Sequence, residues 1–244
     1  MKVYTYYDDI NLKDQVKLIE LWKISWRSRG FTPIVLNHTH AKQSPFYNEY
    51  VYNIHKIHKE ITGENISKYG LSCFLRWLAY STMPEDNVIV CDYDVINGGV
   101  DIIEYEYKYS KDKLNMLYGT CPCVSIGTPL QFGDLCKMFI DVSYSNIKNI
   151  QLLTKERGFC QYHDQEFFVC NKDLIKEKIN MYKDSTLKCF VDDGKSGREM
   201  LTHFSYHYTK SYIDMFNLDK FNGKEVREVR VELIEEFLKS INCI

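Results

Sequence analysis

Apolar and polar residues change period several times along this chain, and each change marks an element. Residues 2–7, KVYTYY, begin with β-formers and predict a first strand. Leu12, Val16, Ile19, Trp22 and Trp26 then recur at steps of four, three, three and four, the stripe of an amphipathic helix. Gly30 stops that helix, and TPIVLN (32–37) reads as a second strand. Strand, helix and strand in this order make a βαβ unit, which implies parallel pairing and a right-handed crossover. A second helix is predicted from about Phe46 to Thr62. A third begins after Asn65 or Ser67, with Leu71, Phe74, Leu75 and Leu78 on one face, and MPED breaks it. NVIVCDYD follows as a buried strand, expected to lie close to the first in a Rossmann-like half covering roughly residues 1–100.

The second half is less regular. DIIEYEYKYS (101–110) alternates as an exposed strand would, and NMLYGTCPCVSIG (115–127) contains another. Residues 129–140 resemble a short helix, and a further helix starts near Asp164. VDDGKSGREM (191–200) has the glycine and charge of a mobile loop. Val226, Val229, Leu233, Phe237 and Ile241 mark a final amphipathic helix. Its polar face, five Glu against three basic residues, argues against membrane anchoring. With no repeat, low-complexity tract or linker, one α/β domain over residues 1–244 is expected, its mixed sheet flanked by helices.

The 244 residues suffice for a sizeable core. A net charge of −2 supplies no field for nucleic acid or an acidic membrane, so neither is expected as a partner. The start, MKVYTYYDDI, lacks a signal-peptide core, and no window holds eighteen consecutive apolar residues. A cytoplasmic protein without a transmembrane segment is therefore expected, with its nine cysteines reduced. Cys121-Pro-Cys123 is the one close pair. A zinc site there would need a second pair at suitable spacing, and the sequence has none. His38-x-His40 and His55-x-x-His58 read as solvated loop and helix-face residues.

The chemistry centres on Asp92 and Asp94. With 17 aspartates in the chain, about one Asp-x-Asp arises by chance, so position must carry the argument. In open α/β sheets ligands bind beyond the carboxyl ends of the strands, where this pair is predicted to lie. Two carboxylates at a strand end can hold Mg²⁺ or Mn²⁺ while phosphate oxygens and water complete the shell. With Tyr93 pointing the other way, strand alternation would turn both toward one side.

SKYGLSCFLRWLAYSTMPEDNVIVCDYDVIN (67–97) resembles the segment of GT-A nucleotide-sugar glycosyltransferases that joins an Arg-bearing helix to the Asp-x-Asp strand. It is particularly similar to the glycogenin- and galactosyltransferase-like group, whose compact members bacteria and large DNA viruses encode. HDQEFFVCN (163–171) resembles that group's DQ segment, HFSYHYTKSY (203–212) its C-terminal H-F…K-P-W, and SIGT (125–128) its NAG acceptor-side turn with Ser and Ile substituted. The resemblance implies a GT-A fold with a nucleotide-binding half (1–100) and an acceptor-side half (101–244). It implies a metal-dependent transfer of sugar from a nucleoside-diphosphate donor, UDP first, to a hydroxyl on a glycan or glycoprotein. Asp94 would bind Mn²⁺ or Mg²⁺ directly, Asp92 would bind the metal or the nucleotide ribose, and His203 would be the third protein ligand, although HYTKSY leaves His207 open in its place. Thr5, Tyr6 and Tyr7 would meet base and ribose at the end of strand one, with Tyr93 beside them, or simply pack as strand residues. Arg76 would clamp phosphate as a planar fork, or else snorkel to solvent. Lys210 would add positive charge near the diphosphate. Asp164 and Gln165 would be the catalytic pair: Asp164 as base in an inverting reaction, or either residue facing the sugar in a retaining one. Alternatively Asp164 caps its helix.

Two other functions stay open. A nucleotidyltransferase acting on a sugar phosphate also uses carboxylates at a strand end, but the glycine-free YYDDINLKDQ lacks its phosphate loop. A non-catalytic binding module could keep the same fold.

Overall fold

In a computed structural model, which describes residues 1–8, 15–100, 111–156, 161–182, 187–189, 201–206, 209–210 and 224–244, the run KVYTY forms β1 (Lys2–Tyr6). The tryptophan stripe forms α1 (Gln15–Arg27), and β2 (Thr32–Leu36) follows the left-handed Gly30, φ 81°. Both β2 and β3 (Val88–Cys91) pair parallel with β1, which places β1 centrally and β3 directly beside it. Pro33 is tolerated because β2 is an edge strand, where a missing ladder donor costs little. Between β2 and β3 run α2 (His38–Ala41), α3 (Tyr47–Thr62) and α4 (Lys68–Tyr80), the last capped by Ser67 accepting from Gly70 N.

After β3 come β4 (Val95–Asn97), β5 (Leu114–Tyr118) and β6 (Cys121–Gly127). The six-stranded sheet has the order β2-β1-β3-β6-β5-β7, where β7 is Ile179–Met181. Only β6 among these six runs against the others: it is antiparallel to β3 and β5, whereas β5 and β7 are parallel. A second sheet joins β4 to β9 (Leu201–His203), antiparallel, and β9 to β8 (Leu187–Cys189), parallel. Further helices among the described residues are α5 (Pro129–Glu156), α6 (Asp164–Ile175) and α7 (Val226–Ser240).

Strand alternation divides the core into two layers. Tyr4, Val88 and Val90 face a layer built with α3, α4, α5 and α6. Val3, Ile89 and Cys91 face the other, built with α1, α7 and the second sheet. Burial on both faces explains why VIVC is apolar throughout.

Several expectations need correction. The single strand foreseen in 115–127 is a hairpin, β5–β6, turning at the left-handed Gly119 (φ 57°). The short helix of 129–140 continues to Glu156 across a kink at Asn146, whose Nδ2 donates to Asn171 Oδ1 at 2.8 Å. His58 is buried rather than solvated, with Nδ1 donating to the Glu64 carbonyl at 3.0 Å. The register Val88↔Gly127 puts SIGT at the end of β3 away from Asp92, so it does not take the place of an acceptor-side turn beside the carboxylates. The strand foreseen at 101–110 and the loop at 191–200 lie outside the described residues. Among the described residues no helix is long and apolar enough to cross a membrane.

Candidate functional site

β3 ends at Cys91 and the chain turns at once, with Val95 N donating to Asp92 O at 3.0 Å. Asp92 and Asp94 therefore belong to a turn, and the turn rather than strand alternation brings their carboxylates together. Tyr93 packs its ring edge-on against Tyr7 at 6.2 Å, and its hydroxyl accepts from Gln15 Nε2 at 2.5 Å.

Asp94 is nearly enclosed. Its Oδ2 accepts from Arg230 Nη1 at 3.0 Å. Its buried Oδ1 accepts no hydrogen bond among the described residues and faces His203 Nε2 at 3.3 Å. β9 delivers that histidine because His203 pairs with Val95, one residue past Asp94. One ligand atom each from Asp92, Asp94 and His203 lies within 4.8 Å of the others. Two carboxylates and an imidazole suit Mn²⁺, and each carboxylate keeps an oxygen after satisfying an arginine. The residues fit a divalent cation.

Arg76 joins this set to α6. Its Nη1 donates to Asp92 Oδ1 at 2.5 Å, and its Nε to Asp164 Oδ2 at 2.9 Å. Arg76 Nη2 and Trp77 Nε1 (2.7 Å) donate to that same Asp164 oxygen. Asp164 is not the cap foreseen as its alternative role. His163 occupies the N-cap, with its backbone N–H donating to Glu166 Oε2 at 3.1 Å, and Asp164, 1% exposed, turns inward. Gln165 beside it is exposed.

Three carboxylates (Asp92, Asp94, Asp164) meet two guanidiniums (Arg76, Arg230), so the cluster carries one net negative charge when His203 is neutral. Burial works against the Asp94 and Asp164 charges, yet His203 and Arg230 hold Asp94, and Arg76 and His163 hold Asp164, below the usual carboxylate range. Asp92 goes the other way. Burial, with Asp94 and Asp164 nearby, pushes its carboxyl up to about 6 against the pull of Arg76. Its side chain is 30% exposed, which moderates that rise and makes it the most open carboxylate of the three. On Cys121 the Cys123 thiol has the largest effect and holds it below the usual thiol range.

The structure thus brings together Asp92, Tyr93, Asp94, His203, Arg76 and Asp164, with Tyr7 at the edge through Tyr93. Thr5 and Tyr6 are buried within the sheet, and Tyr6 donates its hydroxyl to Asp8 Oδ2 at 2.7 Å. Lys210 is exposed, and no described contact joins it to the cluster. His207 lies outside the described residues. Two participants escaped the sequence reading. Trp77 was hidden among core aromatics. Arg230 belongs by composition to the polar face of α7, yet it is 6% exposed. Its spacing from Val226, Leu233 and Phe237 is four, three and seven, a signal that it lies within the apolar stripe.

Residues 1–98 match a family described as "Domain of unknown function (DUF8765)". Comparison with curated proteins gave no match. Among solved structures, the glycosyltransferase GlyE of Streptococcus pneumoniae TIGR4 aligns over 98% of this chain at 16% identity with a TM-score of 0.44. The apo form of GlyE aligns at 14% identity with a TM-score of 0.42. This chain spans 64% and 63% of the length of those two structures.

Proposed function

We propose that this chain is a metal-dependent glycosyltransferase moving a sugar from a nucleoside-diphosphate donor to a hydroxyl acceptor. One observation carries the reading. Two segments separated by more than a hundred residues, Asp92–Asp94 and His203, converge on one potential cation site beyond the carboxyl end of β3. The family resemblance of the sequence had paired these same segments.

When bound, Mn²⁺ or Mg²⁺ supplies the Lewis acidity that neutralises charge on the departing diphosphate. Asp92, Asp94 and His203 would hold the cation, Asp92 being the most exposed carboxylate of the cluster. Arg76 and Asp164 act as positioning residues. The Asp164 carboxylate fixes the guanidinium, and the guanidinium fixes Asp92. With Asp164 1% exposed and its Oδ2 accepting from Arg76 and Trp77, the exposed Gln165 is the member of the pair assigned to meet the sugar. Nucleotide binding falls to residues 1–100, where Tyr7 and Tyr93 offer ring surface beside the ends of β1 and β3. The acceptor, a glycan or glycoprotein, would approach from residues 101–244, and Lys210 would reach the diphosphate from there.

The test is hydrolysis of UDP-, GDP- and dTDP-sugars by purified protein with and without Mn²⁺, read as released nucleoside diphosphate and as thermal stabilisation. Expected are Mn²⁺-dependent release from at least one donor and its loss in Asp94→Asn. That variant is preferable to Asp94→Ala, which strands Arg230 without its acceptor. Incorporation of a nucleoside monophosphate into product would instead establish a nucleotidyltransferase. If no donor is cleaved and neither nucleotide nor Mn²⁺ shifts the melting temperature, the reading is wrong.

A further inference from the structure

His203 has a second set of neighbours. Because β6 runs against β3 with Val124 opposite Cys91, the residues before Val124 run on past the carboxyl end of β3. There Asp92 N donates to Cys123 O at 2.9 Å, tying that stretch to the turn. Cys121 and Cys123 are two apart on one strand, so their side chains project to the same side while Pro122 projects to the other. The Asp92–Cys123 hydrogen bond turns the Cys123 backbone toward β3, so the nitrogen of Pro122 faces β5, where the ladder shifts register between Met116 and Tyr118 and a missing donor is tolerated. Sulfur atoms of both cysteines and a ring nitrogen of His203 all lie within 4.8 Å of one another. Cys123 is buried and Cys121 half-buried, and neither forms a disulfide. The second ligand pair that the sequence lacked near Cys121 is therefore supplied in part by β9, as one imidazole.

We propose that Cys121, Cys123 and His203 form a site for a thiophilic divalent cation, Zn²⁺ being the biological representative. Thiolate and imidazole ligands select such a cation over Mn²⁺ or Mg²⁺, which prefer oxygen. Three protein ligands with the fourth position left to water match a tetrahedral centre. At Zn–S distances of about 2.3 Å tetrahedral ligand atoms stand about 3.8 Å apart, so the set needs a contraction of about 1 Å at most. As the two S–Zn bonds form, the two thiol protons leave to solvent, and no oxidant or reductant takes part. One imidazole cannot serve both this set and the Asp92/Asp94 set through a single nitrogen. The site itself does not depend on the reaction proposed above.

Cobalt(II) is the probe, titrated into the protein under a phosphine reductant. The expected result is a thiolate-to-cobalt charge-transfer band in the near ultraviolet, abolished by equimolar Zn²⁺. Cys121→Ser should cut that intensity by about half and weaken cobalt binding at least about tenfold, while Cys243→Ser at the C-terminus changes neither. On the unaltered protein, Zn²⁺ should slow alkylation of Cys121 but not of Cys243, a measurement that needs no variant to fold. Absence of the band, a band undiminished in Cys121→Ser, or equal alkylation of Cys121 with and without Zn²⁺ would each overturn the proposal.

Discussion

Asp164→Asn removes the negative charge beneath Arg76 without changing side-chain size. The wild-type oxygen Oδ2 accepts Arg76 Nε at 2.9 Å, Arg76 Nη2, and Trp77 Nε1 at 2.7 Å, inside a side chain 2% exposed. Removing one partner of a buried ion pair costs about 3–5 kcal/mol, because the other charge stays desolvated. Asparagine retains an acceptor oxygen, and Asp92 still pairs with Arg76 at 2.5 Å. Both features place the loss at the low end, about 3 kcal/mol. For a chain of this length each kcal/mol moves Tm by about 2–4 °C, so a fall of about 6–12 °C is expected in scanning calorimetry at pH 7. A second readout separates this network from general damage. With Arg76 left to Asp92 alone, the Asp92 carboxyl should titrate lower than in the wild type when followed by carbon NMR. A Tm within about 2 °C of wild type, or an unmoved Asp92 titration, would show that Asp164 does not balance Arg76.

Two more outcomes can be checked. Burial opposes charge on His163, but the carboxylates of Asp164 and Glu166, 3.5 and 2.8 Å from its Nδ1, outweigh that and push it up to about 9 from an ordinary 6.5. Its stabilisation is then complete below pH 6.5 and lost as the pH rises toward 9. The Tm gap between wild type and His163→Gln should narrow across that window, and a constant gap would exclude a charged His163. Phe139 is fully buried, with ring centroids of Phe167 at 4.6 Å and Phe74 at 5.1 Å. Phe139→Ala should lose about 3–5 kcal/mol in urea unfolding, and a loss below about 1 kcal/mol would mean that the surrounding rings collapse into the gap.

What could be read from the chain follows element length and periodicity. The stripe through Trp22 and Trp26 and the apolar run VIVC announce α1 and β3, since long helices and buried strands repeat their signal. β4, β8 and β9 each have three residues, too few for alternation to show, so the second sheet was invisible. The helix after Pro129 reads as ending near 140 because SYSNIKN carries little apolar stripe. The Asn146–Asn171 hydrogen bond lets it bend and continue. At the site, Asp92 and Asp94 were legible as a pair. The turn that joins their carboxylates was not, nor was the way Arg230 and Trp77 complete their surroundings. Partners that meet from different elements leave no spacing to count.

The turn itself has a wider consequence. Three residues, Asp92 to Asp94, are all that separates the last position of β3 from the first of β4, so the two sheets are stitched together through the acidic pair. A linkage so short has no slack. Any tilt of the small sheet against the large one passes through the backbone that carries those two carboxylates. Chemistry and architecture therefore share one joint, and neither can loosen without the other registering it.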